Sequence, residues 1–323
     1  MLANRGVIAK EGDLVLAFKG YRSLQPIILK HGATHQCKEG KFLHDDIIGH
    51  PMNRYVEGYS NAKNDPTVPH LLILQPSSDL WTIAVPHRTQ IIYDTDIAVI
   101  ITNLRLGPGK VVVEAGTGSG SLTHNLARTV APNGLVHTCD FHQGRCLDAR
   151  GEFRQSGISH LVRSNWRDVC TTDLSVTEVD PDRDTVAEQQ APLQGFGLPA
   201  ESVDAVFLDV PAPWLAIENV EHVLRPGGML CTFSPCIEQT QRTVNRLREA
   251  PHHFLDVRTV EALTKSFSPV YKRPRDGKEQ FKFRANLVSK GHSAYLTFAR
   301  RRLPPAEGAE EEEVEAEEPE AEA

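Results

Sequence analysis

The chain has 323 residues, 40% of them hydrophobic, which allows one large domain or a large domain with a smaller one. No stretch approaches the roughly 18 consecutive apolar residues of a membrane span, and the first residues lack the apolar core of a signal peptide, so the sequence predicts a soluble, intracellular protein with no membrane partner. The net charge of −7 comes from a glutamate-rich tail, because without it 35 basic residues face 32 acidic ones.

Residues 1–87 predict a small all-β domain. Short apolar segments are separated by glycine and proline, and none shows the periodicity of a helix. The predicted strands are "DLVLAF", "QPIILK", "DDIIG" and "LLILQP".

Residues 88–303 predict a second domain of the α/β class. Strand patterns such as "KVVVEA", "LVHTCD" and "VDAVFLDV" alternate with helical patterns such as "SLTHNLARTV" and "EQTQRTVNRLREA". This alternation is typical of a parallel sheet with helical crossovers. Residues 171–200 interrupt it, and their acidic composition with few large apolar residues predicts a flexible surface insertion.

A glycine-rich loop, "EAGTGSG", spans Glu114 to Gly120 between a predicted strand and a predicted helix. In an open α/β sheet, ligands bind beyond the carboxyl ends of the strands, and glycines let the backbone turn tightly against a ligand. The dinucleotide motif G-x-G-x-x-G would need glycine where this chain has Ser121. The pattern therefore favours S-adenosylmethionine over a dinucleotide, with a purely structural turn as the alternative.

Two acids follow the next two predicted strands. Asp140 lies twenty-four residues after Gly116, where its carboxylate would accept hydrogen bonds from the hydroxyls of a ribose, although it could instead cap the next helix. Asp168 in "WRDV" would accept from the amino group of an adenine, or it is an ordinary surface acid. Together with the glycine loop, these strand ends predict an S-adenosylmethionine site.

The fourth strand runs into "VFLDVPAPW", in which Asp209 precedes two prolines. Proline fixes φ, so Pro211 and Pro213 would hold the carboxylate in one place. The loop resembles the Asp/Asn-Pro-Pro-aromatic loops of methyltransferases that modify nucleobase nitrogens. Methylation of adenine N1 makes the ring cationic, and a carboxylate bound to the exocyclic amine would stabilise that charge. Trp214 would wall the pocket or pack in the core.

The end of the chain is unevenly charged. Eleven basic residues and two acids lie between Lys265 and Arg302, enough for phosphate contacts but not diagnostic of them. Residues 307–323 contain ten glutamates and no base, so we expect a disordered tail over 304–323, which serves solubility or contacts a basic partner. The six cysteines form no C-x-x-C pair and the fourteen histidines are scattered, which predicts no metal site.

Four segments together resemble the catalytic subunits of the tRNA (adenine-N1)-methyltransferases that act at position 58. They are "HRTQIIYDTDIAVI", "VEAGTGSGSLTH", "VFLDVPAPW" and "FSPCIEQTQRT". The resemblance implies a small β-domain before a Rossmann-like class I methyltransferase sheet, a tRNA substrate and S-adenosylmethionine as methyl donor. It also implies a homologous, non-catalytic RNA-binding subunit as partner in a heterotetramer, and residence in the nucleus.

The resemblance also assigns site residues. Asp209 and Tyr93 would be catalytic. The cofactor would be bound by Gln90, Ile92, Glu114, Gly116, Gly118, Ser119, Gly120, Ser121, Leu122, Asp140, Arg145, Asp168, Val169 and Asp209. The substrate would be bound by Tyr93, Asp94, Pro211, Trp214, Ser234 and Gln239. The family usually has glutamate at the position of Asp140, so the shorter acid would hold the ribose at a different distance.

Two rival functions remain open from the sequence. One is a protein or small-molecule methyltransferase, since isoaspartate methyltransferases have a similar glycine loop but would not be expected to carry the Asp209 loop. The other is a tRNA-binding subunit without activity, whose glycine loop should be degraded. The small excess of basic residues outside the tail also predicts that the isolated chain grips a whole tRNA weakly.

Overall fold

The structure is a computed structural model that describes residues 7–20, 23–62, 66–86, 89–177, 185–272, 280–287 and 291–303. The acidic tail predicted at 304–323 lies outside the described residues. The fold class predicted from the sequence is confirmed, with a β-rich N-terminal part before an α/β part.

The N-terminal part is built around a four-stranded antiparallel sheet of order β2-β1-β6-β5, beside which β3 and β4 pair as a separate hairpin. The strands are β1 Leu14–Gly20, β2 Ser23–Ile28, β3 Thr34–Gln36, β4 Lys41–Leu43, β5 Arg54–Glu57 and β6 His70–Leu74. Alternate residues Val15 and Ala17 of β1 and Leu71 and Ile73 of β6 face one core, where they meet Phe42. This alternation is the period of two expected for a strand.

Two features of this part differ from the sequence prediction. The "DDIIG" segment is not a strand, because a 3-10 turn occupies His44–Asp46. A helix, α1, spans Ser78–Ala84, although the domain was predicted to be all β. With seven residues, α1 is too short to show helical periodicity in the sequence. It is stabilised by tertiary contacts, since Trp81 and Ala84 pack on Leu14 and Leu16 of β1.

The α/β part contains an eight-stranded sheet of order β10-β9-β8-β7-β11-β12-β16-β13. The helices and strands of this part, in chain order and with the separate hairpin of β14 and β15 included, are α2 Asp94–Asn103, β7 Val111–Ala115, α3 Ser121–Val130, β8 Leu135–Asp140, α4 Gln143–Gln155, β9 Val162–Asp168, α5 Thr185–Glu188, β10 Leu193–Gln194, β11 Val203–Leu208, α6 Ile217–Val223, β12 Leu224–Ser234, α7 Ile237–Arg248, β13 Phe254–Glu261, β14 Phe267–Lys272, β15 Gln280–Ala285 and β16 Tyr295–Arg301. The strands from β10 to β12 are parallel, and β16 is antiparallel to both of its neighbours.

Both faces of the sheet are covered, which explains why its strands read as continuous apolar runs. On one face, Val112 and Val136 pack with Leu126 of α3 and Phe153 of α4. On the other, Val113 and its neighbours pack with residues of α6 and α7. The strand order reverses between β7 and β11, so the glycine loop after β7 lies at the switch point where such sheets bind ligands.

Part of the predicted insertion at 171–200 packs on the domain, although most of its described residues are exposed or half-buried. Strand β10 extends the sheet by pairing in parallel with β9, and Val186 and Phe196 are buried. The predicted flexible surface insertion therefore includes residues that pack on the sheet as well as residues that face solvent. The average composition hid the few apolar side chains that anchor them, while residues 178–184 lie outside the described part.

The antiparallel hairpin of β14 and β15 was not predicted. Its described aromatic side chains point largely into solvent, and Tyr271 and Phe283 are 74% and 66% exposed. Within the described ranges, no helix is long and apolar enough to cross a membrane. Over the same ranges, no group of three His, Cys, Asp or Glu side chains is placed to hold a metal ion.

Candidate active site

The glycine loop has a backbone that other residues would strain. Gly116, Gly118 and Gly120 have φ values of 101°, 53° and 76°, in the left-handed region. A Cβ at Gly116 would collide with the main-chain oxygen of Asp209. The amide of Gly116 donates to the carbonyl of Cys139 at 2.8 Å. The loop therefore packs between the ends of β8 and β11, and main-chain atoms of Asp209 occupy the space that a side chain at Gly116 would need.

Asp140, at the end of β8, braces this loop. Its Oδ2 accepts from the amide of Gly118 at 3.0 Å, and its Oδ1 accepts from the amide of His142 at 2.9 Å. Arg145 on α4 donates to the same Oδ1 through Nε at 3.0 Å. The buried carboxylate thus joins the loop, the chain before α4 and a cation, and it still faces the adjoining cavity.

A cavity of about 520 Å³, here called the glycine-loop cavity, opens beyond these strand ends. Its volume is that of a typical small-molecule site. Predicted cofactor residues on its wall are Gln90, Gly116, Gly118, Asp140, Arg145, Asp168, Val169 and Asp209. Predicted cofactor residues that do not line it are Ile92, Glu114, Ser119, Gly120, Ser121 and Leu122. The structure therefore brings eight of the predicted cofactor residues together around this cavity, and the other six lie outside it.

Glu114 lies beneath the loop rather than in the cavity. Its side chain is buried, and the hydroxyls of Thr123 and Thr138 each donate to its Oε2 at 2.6 Å. Burial raises the pKa of this carboxyl to about 7, although the two hydroxyls oppose the shift. In this position Glu114 supports β7, β8 and α3 from within the core.

The serines at the start of α3 fasten a second segment to the loop. The hydroxyl of Ser121 lies 3.0 Å from the hydroxyl of Thr82 and 3.1 Å from the carbonyl oxygen of Ile92, within hydrogen-bond distance of both. The amide of Thr89 donates to the hydroxyl of Ser119 at 3.2 Å. These bonds hold the chain from 89 to 92 against the loop, so the two serines position a cavity wall without being part of it.

The end of β9 forms a further wall. The carboxylate of Asp168 accepts from the amide of Cys170 at 3.0 Å and from the hydroxyl of Thr171 at 2.8 Å. Phe141, directly after Asp140, is 57% exposed on the rim, and Trp166 donates to its carbonyl at 2.8 Å. Sequence reasoning missed Phe141, although an aromatic residue directly after a strand-ending acid is a usable signal for a flat ring ligand.

A second cavity of about 770 Å³, here called the Tyr93 cavity, adjoins the first. Gln90 and Asp209 line both cavities. The other lining residues are Ile91, Ile92, Tyr93, Asp94, Thr95, Asp96, Phe233, Pro235, Ala262, Thr264, Gly291, His292 and Ser293. Those from Ala262 to Ser293 had not been predicted, because they follow Asp209 by more than fifty residues and carry no motif.

Asp209 differs from the other strand-end acids. Its amide donates to the carbonyl of Ala115 at 2.8 Å, which fixes the main chain. In the part of the chain that the structure describes, its carboxylate accepts no hydrogen bond. Burial and, to a smaller extent, the nearby Asp140 charge raise the pKa of Asp209 to about 6. This acceptor is available to a ligand that reaches either cavity.

The remaining predicted substrate residues have varied positions. Pro211 lines the glycine-loop cavity, and its carbonyl accepts from Nε2 of Gln239 at 3.0 Å. Trp214 lines neither cavity and instead lies under the guanidinium of Arg242, at 5.3 Å from the ring centroid. Ser234 is buried between the two lining residues Phe233 and Pro235. Gln239 and Trp214 therefore support the wall from outside the cavities.

Comparison with protein families gives one match over most of the chain. The family described as the tRNA methyltransferase complex GCD14 subunit matches residues 70–187 and 182–277. A relative from Dictyostelium discoideum, the tRNA (adenine(58)-N(1))-methyltransferase catalytic subunit trmt61a, is 35% identical over 266 residues, which are 82% of this chain and 77% of the relative.

Two solved structures share the fold. A SAM-dependent O-methyltransferase from Thermotoga maritima has a TM-score of 0.70 at 24% identity, covering 92% of this chain and 96% of its own. The tRNA (m1A58) methyltransferase TrmI from Aquifex aeolicus has a TM-score of 0.64 at 22% identity, covering 91% of this chain and 99% of its own. At such identities the likeness establishes the fold alone.

Proposed function

The chain belongs to the family of the tRNA methyltransferase complex GCD14 subunit, and from that premise we propose that it transfers a methyl group from S-adenosylmethionine to N1 of adenosine 58 in tRNA. The observation that carries this function is the position of Asp209 on the wall shared by two adjoining cavities. A methyl donor in the glycine-loop cavity and a purine in the Tyr93 cavity would meet at this carboxylate.

The glycine-loop cavity fits S-adenosylmethionine in size and chemistry. When bound, the cofactor supplies an electrophilic methyl group on a sulfonium. The tight backbone at Gly116 and Gly118 admits a ligand that side chains would exclude, and Phe141 offers an aromatic face on the rim. The carboxylates of Asp140 and Asp168 keep acceptor capacity for hydroxyl and amino groups, because each oxygen has two lone pairs.

Asp209 supplies the electrostatic part of the reaction. The transfer would form a bond from N1 to the methyl carbon and break the carbon–sulfur bond, so the positive charge of the sulfonium would end on the purine. An ionised Asp209 that accepts from the exocyclic amine stabilises this charge and holds N1 in line. Its pKa of about 6 leaves it ionised at neutral pH. Tyr93, 37% exposed on the second wall, is placed to contact the base.

The label "catalytic subunit" on the relative implies a further subunit. We propose a homologous RNA-binding subunit, assembled with this chain as a heterotetramer. The hairpin of β14 and β15 supports this proposal, because it exposes Phe267, Tyr271, Phe281 and Phe283, whereas a two-stranded hairpin is marginally stable by itself. Nuclear residence stays a prediction from the resemblance, and the location of a fluorescent fusion would test it.

Methylation of a tRNA transcript tests the function. The purified chain, with and without the partner subunit, is incubated with labelled S-adenosylmethionine and the modified base is mapped. We expect N1-methyladenosine at position 58, greater activity with the partner, and no label in a transcript with guanosine at that position. Methyl transfer to peptides but not to tRNA would favour the rival methyltransferase class. Cofactor binding without any transfer would contradict the role of Asp209.

A further inference from the structure

A histidine closes one side of the Tyr93 cavity. Nδ1 of His292 lies 2.6 Å from Oε1 of Glu261, and Nε2 lies 3.0 Å from the carbonyl oxygen of Pro235. The imidazole ring also packs on Tyr295, with ring centroids 4.4 Å apart. Both ring nitrogens therefore have a partner, and both partners are oxygen atoms.

The two contacts determine the protonation of the ring. A neutral imidazole has one N–H donor and one acceptor nitrogen, whereas an imidazolium has two donors. A main-chain carbonyl only accepts, and so does an ionised carboxylate, so both nitrogens must carry hydrogen. The side chain of Glu261 is 31% exposed, so burial does not oppose its charged form.

The electrostatic surroundings agree with this state. The hydrogen bond that His292 donates to Glu261 raises the pKa of His292 above its ordinary value, and the bond that it donates to the carbonyl of Pro235 adds to this shift. Among the described residues, the charges that face the ring come from Glu261 at the end of β13 and Asp96 on α2, and both are carboxylates. Tyr295 of β16 packs against the ring in a tilted arrangement, with an interplanar angle of 46°.

The contacts of His292 with Pro235 and Glu261 join three neighbouring strands at the same edge of the sheet. Ser234 of β12 and Glu261 of β13 both pair with Tyr295 of β16, so Pro235, Glu261 and His292 follow or precede strands that lie side by side. The next residue, Ser293, donates to Oδ1 of Asp96 on α2 at 3.1 Å. The segment around His292 therefore connects the sheet to the helix that begins directly after Tyr93.

We propose that His292 is a positioning residue whose imidazolium bridges Pro235 and Glu261 and thereby fixes the wall of the Tyr93 cavity that receives the target base. The proposal rests on the proposed function for the identity of that base. In the protonated state the wall keeps its shape before tRNA arrives. When the ring loses a proton, one of its two nitrogens faces an oxygen without a hydrogen between them, and the wall loosens.

The N-terminal part offers a matched control. Nδ1 of His31 lies 2.6 Å from Oδ1 of Asp45, and that carboxylate raises the pKa of His31. Among the described residues, however, the structure gives His31 no acceptor at its second ring nitrogen, and His31 lines neither cavity. An exposed pair of this kind contributes little to stability. His31→Ala therefore controls for the loss of an exposed histidine–carboxylate pair as such.

The protonation is measured without methyl transfer. Nitrogen-15 spectra of the histidine rings, assigned by difference with His292→Ala, should show His292 doubly protonated at pH 7. In Glu261→Gln, which removes the charge but keeps an oxygen, this state should be lost at a lower pH. A singly protonated ring in the folded wild type at pH 7 would overturn the proposal, and this readout holds even if the chain proves to methylate another substrate.

Steady-state kinetics with tRNA test whether His292 fixes the wall of the Tyr93 cavity. We expect His292→Ala to raise the KM for tRNA about tenfold at pH 7, equivalent to about 1.4 kcal/mol, while kcat and the affinity for S-adenosylmethionine change less than twofold. Because the pKa of His292 is raised, the wild-type KM should rise as the pH passes above the ordinary range of an imidazole, and that of the variant should not. His31→Ala should match wild type. If His292→Ala fails to fold, the pH profile of Glu261→Gln decides; a wild-type KM and profile in the variant that folds would refute the idea.

Discussion

The two cavities that meet at Asp209 are built differently. The walls of the glycine-loop cavity include residues that directly follow strands of one parallel sheet, namely Gly116, Phe141, Val169 and Asp209. The Tyr93 cavity instead takes residues from 90–96, 209, 233–235, 262–264 and 291–293. Parallel topology places the strand-end wall of the first cavity, because parallel strands end at one edge of the sheet, and Thr89 and Gln90 from the segment before the sheet complete it. The second cavity also requires a returning antiparallel strand.

Asp209, which lines both cavities, differs from Asp140 and Asp168, which line only the glycine-loop cavity. Asp140 and Asp168 accept hydrogen bonds from nearby main-chain amides, and each also accepts from a side chain of the protein. The carboxylate of Asp209 accepts none within the described part, and burial raises its pKa to about 6. Asp140 and Asp168, which shape the binding wall, are therefore held in place by protein donors. Asp209, which would meet the reacting atoms, is partly buried without such donors among the described residues, so its charged form is poorly solvated.

The largest expected effect follows from removing the open carboxylate. Asp209→Asn should lower kcat for tRNA methylation by about 10²–10³, because one group that stabilises developing charge is typically worth about 2.7–4 kcal/mol. The affinity for S-adenosylmethionine, measured by calorimetry, should change little. The variant should unfold at the same or a higher temperature at pH 8, since the ionised carboxylate is poorly solvated in the fold. Near wild-type turnover would remove Asp209 from the mechanism.

The next effect concerns the loop that closes the first cavity. Gly116→Ala combines a φ of 101° with a collision against the main chain of Asp209, so cofactor affinity should fall at least tenfold and stability by about 1–3 kcal/mol. Gly151→Ala on α4 is the matched control, because a Cβ there meets nothing and alanine favours the helix. Equal effects of the two substitutions would show that the loop is not tightly constrained.

A pH profile tests whether the open carboxylate acts in its ionised form. Since the pKa of Asp209 is raised to about 6, kcat should be level above that pH and fall about tenfold per unit below it. The buried Glu114, with a pKa of about 7, is the other candidate for such a transition. Glu114→Gln should therefore keep the inflection near 6. If the inflection disappears in Glu114→Gln, the group that controls kcat is Glu114 rather than Asp209.

The smallest effect distinguishes support from contact. Gln239 donates to the carbonyl of Pro211 and accepts from the amide of Cys236 at 3.4 Å. Gln239→Glu keeps the acceptor but loses the donor, so it should lower kcat by about twofold to about thirteenfold, as expected for about 0.5–1.5 kcal/mol. The exposed neighbour Glu238→Ala should have no effect on kcat. A change in the KM for tRNA alone would instead indicate that Gln239 touches the substrate.

Much of the first cavity was predictable from local patterns. A buried strand followed by glycines or an acid places those residues at the ligand edge of a parallel sheet, and Gly116, Asp140, Asp168 and Asp209 all lie there. Glu114 shows where the pattern stops being sufficient. It lies within β7, one residue before the end, so its side chain enters the core under α3 instead of facing the cavity. A shift of one position in a strand changes the face on which a side chain lies.

The sequence by itself determined the fold class and the strand-end wall, because apolar periodicity and glycine spacing are local properties that parallel topology converts into position. The family followed from the resemblance of four sequence segments. Only the tertiary structure decided that α1 packs on the sheet of the N-terminal part, that Trp214 lies outside both cavities, and that His292 meets Glu261 and Pro235. The physical reason is separation along the chain. His292 is fifty-seven residues from Pro235, and contacts over such distances depend on strand register and packing rather than on any neighbouring residues.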